Sequence, residues 1–215
     1  MDQYTRDILR SVMDEFNSFS YIAPEDIPDI QLYMDQITTF MDAKLSACKR
    51  HPEDKILTKT MINNYTKNKL IPPPDKKKYS RDHLLLLIYV YYLKDFLQIS
   101  DIQTLLGPLT EMCFQKENGK SMQEVYEAAF SLVSGQTDYM TKDLMRRWKV
   151  AQRAFPDAEG DEGRFLDVFA FVCLLSFDVY VKKKLIEAVV DELNRLKKES
   201  RPESKKTGDP KKEAD

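Results

Sequence analysis

Apolar residues recur along this chain mostly three or four apart, the period of a helix, and almost never in alternation. Tyr4, Ile8, Val12 and Phe16 stand four apart, so residues 2–19 are expected to form one helix with that stripe buried. A turn or short linker with Pro24 follows. The next helix should open near Pro28, a residue suited to a first helical turn, and bury Ile30, Met34, Ile37, Met41 and Leu45. Charges, His51 and Pro52 make 49–56 a turn.

Thr58 can cap a short helix over 59–68, whose continuation Pro72, Pro73 and Pro74 forbid. Ser80 opens a strongly apolar helix that should end near Leu97. Ser100 and Gln103 have capping-box spacing for a short helix to Leu106, which Gly107 and Pro108 should stop. Ser121 and Glu124 form a second such box, leading to Ser134 and Gly135. Two further helices are expected, over 138–154 with the single tryptophan Trp148 and over 162–198. The tail from Lys197 to Asp215 is almost devoid of apolar residues and is expected to be disordered. The fold class is all-α. It divides into an N-terminal helix and linker (1–24), a helix-turn-helix domain with at most a tiny strand around 76–79 (25–108), a C-terminal helical domain (109–198) and the tail (199–215).

Composition supports helices, since glycine is scarce at 6 in 215 residues. Residues 84–93 are apolar for ten positions, and Asp167 and Asp178 leave only ten uncharged residues between them. A membrane span needs roughly 20, so no membrane role is expected. Three widely spaced cysteines, an odd number, do not suit a disulfide framework, and a reducing, cytoplasmic setting is expected.

Charge changes the picture. Residues 55–81 hold eight cations against Asp75 alone, a net of +7 in a chain of net −2, which leaves the other 188 residues at −9. Such asymmetry points to a surface that meets a polyanion. On a helix over 59–68, Met61, Ile62 and Tyr65 share one side, while Lys59, Asn63 and Lys67 form a row on the other, flanked by Thr60 and Asn64. Lysine neutralises phosphate, and an Asn amide matches adenine N6 and N7 in the major groove. Any exposed helix face is polar; this one is set apart by the near absence of acids and by two Asn, which are poor helix formers. The candidate nucleic-acid contacts are Lys59, Thr60, Asn63, Asn64 and Lys67 for the groove, with Lys76, Lys77, Lys78, Tyr79 and Arg81 beside it.

The run TKTMINNYTKNKLIPP resembles the recognition-helix signature of MerR-type transcription regulators, with Thr58, Ile62, Tyr65, Leu70, Ile71 and Pro73 on the matching positions. Downstream, YSRDHLLLLIYVYYLKDFLQISDIQTLL resembles that family's wing exit and following helices through Tyr79, Ser80, Leu87, Leu97, Ile102, Leu105 and Leu106. With IPDIQLYMDQITTFM upstream, the pattern is similar to an uncharacterised bacterial domain-of-unknown-function family with a MerR-like head. The resemblance implies a winged helix-turn-helix with a minimal wing and double-stranded DNA as partner. Asn63 stands where that family places Arg, Asn64 where it places an aromatic, and Lys69 where it places Gly, so Asn68 is expected to supply the left-handed turn.

Other constellations are weaker. His51 and His83 have no partner at ligand spacing, so neither a metal nor a cofactor is expected. Cys113 and Cys173 read as buried packing residues, and Tyr89, Tyr91 and Tyr92 as core. The aromatics of the second half read as an ordinary helical core, with room for an unidentified small-molecule effector. No nucleophile, paired base or phosphate loop appears, so catalysis is not expected. The expected function is a sequence-specific, double-stranded DNA-binding transcription regulator, a homodimer joined through 168–196. The alternative is a protein-interaction adaptor whose head no longer binds DNA.

Overall fold

A computed structural model describes residues 3–18, 21–115, 120–134 and 136–199. Within them run eight α-helices and two two-residue strands: α1 (Gln3–Ser18), β1 (Leu32–Tyr33), α2 (Met34–Lys44), α3 (Lys59–Lys67), β2 (Lys78–Tyr79), α4 (Arg81–Leu93), α5 (Ile99–Gln115), α6 (Met122–Ser134), α7 (Thr137–Ala151) and α8 (Gly160–Glu199). The chain is therefore mostly helical. Of the tail expected to be disordered, Lys197, Lys198 and Glu199 are helical and close α8, and residues 200–215 lie outside the described residues.

The organising element is α4. Its run RDHLLLLIYVYYL buries His83, Leu84, Leu85, Leu86, Leu87, Ile88 and Val90, so it has no solvent face and must be covered from every side. Each such aliphatic side chain contributes about 1.5–3 kcal/mol on leaving water. The cover comes from Ile37, Met41 and Leu45 of the α2 region, Ile62 and Tyr65 of α3, Ile102 and Leu106 of α5, and Met122 and Tyr126 of α6. Ile22 is pinned at the edge of this core from both sides. Its N–H donates to the Tyr92 hydroxyl (3.1 Å), and its carbonyl accepts from the Tyr126 hydroxyl (2.6 Å). Burial pushes the Tyr92 phenol up to about 12.

A second, smaller cluster joins Leu9 of α1, Trp148 and Ala151 of α7, and Phe171 of α8. In α1 the buried position is Leu9, while Tyr4 and Val12 are exposed, so the expected stripe is rotated toward Leu9. α8 touches both cores. Phe171 stacks edge-on to Trp148 at 5.2 Å, and further along Asn194 accepts from the Thr104 hydroxyl of α5 at 2.9 Å.

Four helix boundaries differ from expectation. α4 ends at Leu93 rather than near Leu97, the Lys94 N–H closing onto the Val90 carbonyl at 2.9 Å. Pro28 opens no helix: Leu32 and Tyr33 instead pair antiparallel with Tyr79 and Lys78, α2 starts at Met34, and Ile30 is left exposed. A two-residue strand has no period to read. α5 starts at Ile99, with Asp101 accepting from the Gln98 N–H, so Ser100 lies inside the helix and caps nothing. α5 also runs through Gly107 and Pro108 to Gln115. Proline there removes only one helix bond, that to the Thr104 carbonyl. Burial of Ile102 and Leu106 on one side of that point, and of Cys113 and Phe114 packed on the same core beyond it, holds the helix together. The boxes at Ser80 and Ser121 do form. Glu124 accepts the Ser121 N–H at 2.7 Å.

At Ser80 the third residue of the box is a histidine. His83 Nδ1 accepts the Ser80 N–H at 3.1 Å, and burial lowers the imidazole below its ordinary value, against the opposing pull of the Pro73 carbonyl and Asp82. A base with a lowered folded value stays neutral while the unfolded chain takes up a proton. Stability is therefore full above about pH 6.5 and falls as pH drops below it. His83→Gln keeps an acceptor at the capping position without titrating. It should flatten the decline in melting temperature between about pH 6.5 and 5, as thermal unfolding across that window will show; an unchanged slope would assign the decline elsewhere.

Candidate nucleic-acid interface

α3 is a short cylinder defined at both ends. At its start the Thr58 hydroxyl accepts the Met61 N–H at 3.1 Å. At its end the Leu70 N–H reaches the Tyr65 carbonyl (2.8 Å) and the Lys69 N–H the Thr66 carbonyl (3.0 Å), a Schellman closure. The residue that turns left-handed there is Lys69 (φ 55°) rather than Asn68 (φ −82°). Asn68 is otherwise engaged: its amide donates to the Asn64 carbonyl at 2.8 Å, and its own carbonyl accepts from Gln103 of α5. Ile62 and Tyr65 are buried and Met61 is half-buried, so the inner face is anchored as the spacing implied.

The outer face is bare. Lys59, Thr60, Asn63, Asn64 and Lys67 are all exposed. One carboxylate of the chain faces it, since Asp35 of α2 forms an ion pair with Lys59. Both partners stay largely in solvent, 60% and 74% exposed, and a pair so placed contributes little and exchanges readily. Beside it an open groove of about 430 Å³ runs between α2 and the approach to α3, bounded by Thr38, Thr39, Asp42, Lys55 and Leu57.

The basic turn is built differently from a strand-turn-strand wing. Lys76 (φ 47°) and Lys77 (φ 66°) both sit left-handed, and the Lys78 N–H closes onto the Asp75 carbonyl at 2.8 Å, the pattern of a type I′ turn. Asn-Gly is the favoured pair for such a turn. Among the described residues the positive-φ positions not held by glycine are Lys69, Lys76 and Lys77. All three are exposed lysines of the one basic patch, each carrying backbone strain of about 1 kcal/mol. After the turn, β2 pairs with β1. Lys78, half-buried, sits 5.7 Å from the Tyr33 ring, which is itself half in solvent.

Two of the expected contacts do not face outward. Tyr79 is buried at 3% exposure, where its ring meets His83 edge-on, because the strand pairing turns it inward. Arg81 is committed within the chain: its guanidinium donates to the Pro24 carbonyl at 3.2 Å and lies 3.7 Å from Asp29, which staples the segment before β1. Conversely, Lys69 and Tyr33 lie on the patch and were not among the expected contacts. The glycine-like position of Lys69 was legible as a turn signal; Tyr33 carried no signal of its own.

Cys173, expected as packing, is exposed on α8, whereas Cys48 and Cys113 are half-buried. Among the described residues no three His, Cys, Asp or Glu side chains gather as metal ligands would. None of the helices there is long and apolar enough to cross a membrane.

The geometry is thus that of a mostly helical protein presenting one short, cation-rich helix beside a strained lysine turn. The family described as Domain of unknown function (DUF1836) matches residues 22–129, 108 of the 215 residues, and the chain belongs to that family. The match starts at the pinned Ile22 and ends within α6, so it takes in the larger core and the whole basic patch. No curated protein and no solved structure matches the chain.

If the lysine turn is held against its own backbone preference, Lys76→Asn with Lys77→Gly should stabilise the fold by ~1–2 kcal/mol, read by urea unfolding. A neutral or destabilising result would mean that the turn is not left-handed.

Proposed function

We propose that this protein is a sequence-specific, double-stranded DNA-binding regulator of transcription, whose α2–α3 pair acts as a MerR-like helix-turn-helix with α3 in the major groove and the β1–β2 ribbon with its lysine turn as a minimal wing. The observation that carries the reading is the bare face of α3, five polar or cationic residues on a helix anchored from behind by Ile62 and Tyr65. Asn63 and Asn64 supply amides for base edges, while Lys59 and Lys67 meet phosphate. Lys69, Lys76 and Lys77 extend the cationic surface past the helix end, and their strained backbone is offset by what the charges do for binding. Lys78 remains within reach of backbone, held by Tyr33. Tyr79 and Arg81 act by shaping the ribbon.

The adaptor reading draws on one observation: Lys59 and Arg81 already engage carboxylates of the chain itself. Salt separates the two. Four free lysines around α3 and the turn imply a log–log slope of affinity against salt of roughly −3 to −4 per head, because each neutralised phosphate contributes about −0.9.

The test is fluorescence anisotropy of a labelled duplex across a salt series. Lys59→Glu with Lys67→Glu should abolish binding, and Asn63→Ala should erase the preference between sequences while leaving the slope. Binding that survives the double charge reversal, or a flat salt response, would contradict the reading. Asp35→Asn, which frees Lys59, should tighten binding and steepen the slope by about 1; weaker binding would mean that Asp35 positions Lys59 instead of competing for it.

A further inference from the structure

The middle of α8 is a rod without cover. Its first half packs on α7 through Phe171, and its second half reaches the larger core through Ile186, is buried at Val190, and is bonded to Thr104 of α5 through Asn194. Between these anchors, across residues 176–185, only Asp178 is even partly buried. That bare span carries Phe177, Val179, Tyr180, Val181 and Leu185, the first two 68% and 65% exposed. Valine is a poor helix former, and here Val179 and Val181 stand exposed among Ser176, Asp178 and Lys182–Lys184. Eleven of the 23 large exposed hydrophobic residues described lie on α8. At about 100° per residue they are spread over several faces of the rod, and Phe177, Val181 and Leu185 share one of them.

The pattern also says what covers it. From 169 to 193 every fourth residue is exposed and apolar, with Val181 at the centre. Each step turns about 40° round the helix, so Phe177 and Leu185, one step either side, share the face of Val181, while Phe169 and Leu193 turn away from it. A row at four-residue spacing is the ridge that fits between the same ridges of another helix, crossing at about −50°. A row balanced about its own midpoint suits a partner related by a two-fold axis through that midpoint. Charge selects the direction. Residues 160–178 hold four acids against Arg164, whereas 182–199 hold six cations against four acids. An antiparallel pair sets unlike halves together; a parallel pair sets like against like.

We propose that a second copy of this chain covers α8, the two helices crossing antiparallel near Val181 about a two-fold axis. An apolar groove of about 380 Å³ where α7 ends against α8, lined by Phe155, Phe169, Cys173 and Phe177, continues the ridge and receives side chains from the second half of the other α8. The inference deepens the DNA reading by naming how two heads are joined, yet it stands on α8 alone.

Sedimentation equilibrium of the full chain without nucleic acid tests it, so that a failure here is distinct from a failure to bind duplex. The expected mass is twice 25.1 kDa, returning to one chain for Val181→Asp with Leu185→Asp at unchanged helical circular dichroism. In a Cys173→Ser background, oxidised Val181→Cys should cross-link to its own counterpart on the axis, while Leu193→Cys should not. A single-chain mass for the parent, assemblies larger than two, no cross-link at 181, or equal cross-linking at 193 would each overturn the proposal.

Discussion

The structure hangs on the absence of a polar face on α4. A helix with Leu84, Leu85, Leu86, Leu87 and Ile88 in succession, all buried, can exist in water only inside other elements. That demand recruits α2, α3, α5 and α6 around it and explains why the larger core runs unbroken from Ile22 to Tyr126. It also fixes α3 in rotation. Because Ile62 and Tyr65 are drawn toward the core, Lys59, Asn63 and Lys67 have nowhere to point except outward. The outward set is a consequence of packing; its chemistry is what needs a functional account.

Local choices around α3 run against stability and in favour of positive charge. Lysine stands at left-handed positions 69, 76 and 77, where glycine or asparagine would sit without strain. Acids are nearly absent from the patch although the rest of the chain is acidic, and Asp35, which faces α3, makes only a surface pair with Lys59. Conflict between local preference and fold is expected where a site is shaped for a ligand. Under the DNA-binding proposal, a polyanion is the ligand that offsets this particular conflict.

Much of this was legible in the chain because it rests on short-range rules. Thr58, Ser80 and Ser121 cap where a hydroxyl meets an early N–H, the prolines after Ile71 bar extension of α3, and Trp148 marks a core. What was not legible depends on distant partners. β1 exists only because residues 78 and 79 lie beside it, and that pairing turns Tyr79 inward. Pro108 reads as a stop, but tertiary burial on both sides outweighs one missing hydrogen bond. In α1 the four-residue spacing drifts around the cylinder, so neighbouring Leu9, not the counted stripe, meets Trp148. Arg81 looked like a phosphate ligand until Pro24 and Asp29 were seen to hold it. The aromatics of the second half divide: Trp148 and Phe171 are core, whereas Phe165, Phe169, Phe177 and Tyr180 face outward along α8.

The two halves of the molecule thus carry different exposed features, a bare polar and cationic face on α3 and an apolar row on α8. The central claim concerns the face of α3, and the most direct measurement of it is selection of bound fragments from randomised double-stranded DNA by the full chain, followed by sequencing. The account predicts enrichment of a defined motif whose two halves are related by a two-fold axis. An unenriched pool after repeated rounds would contradict it.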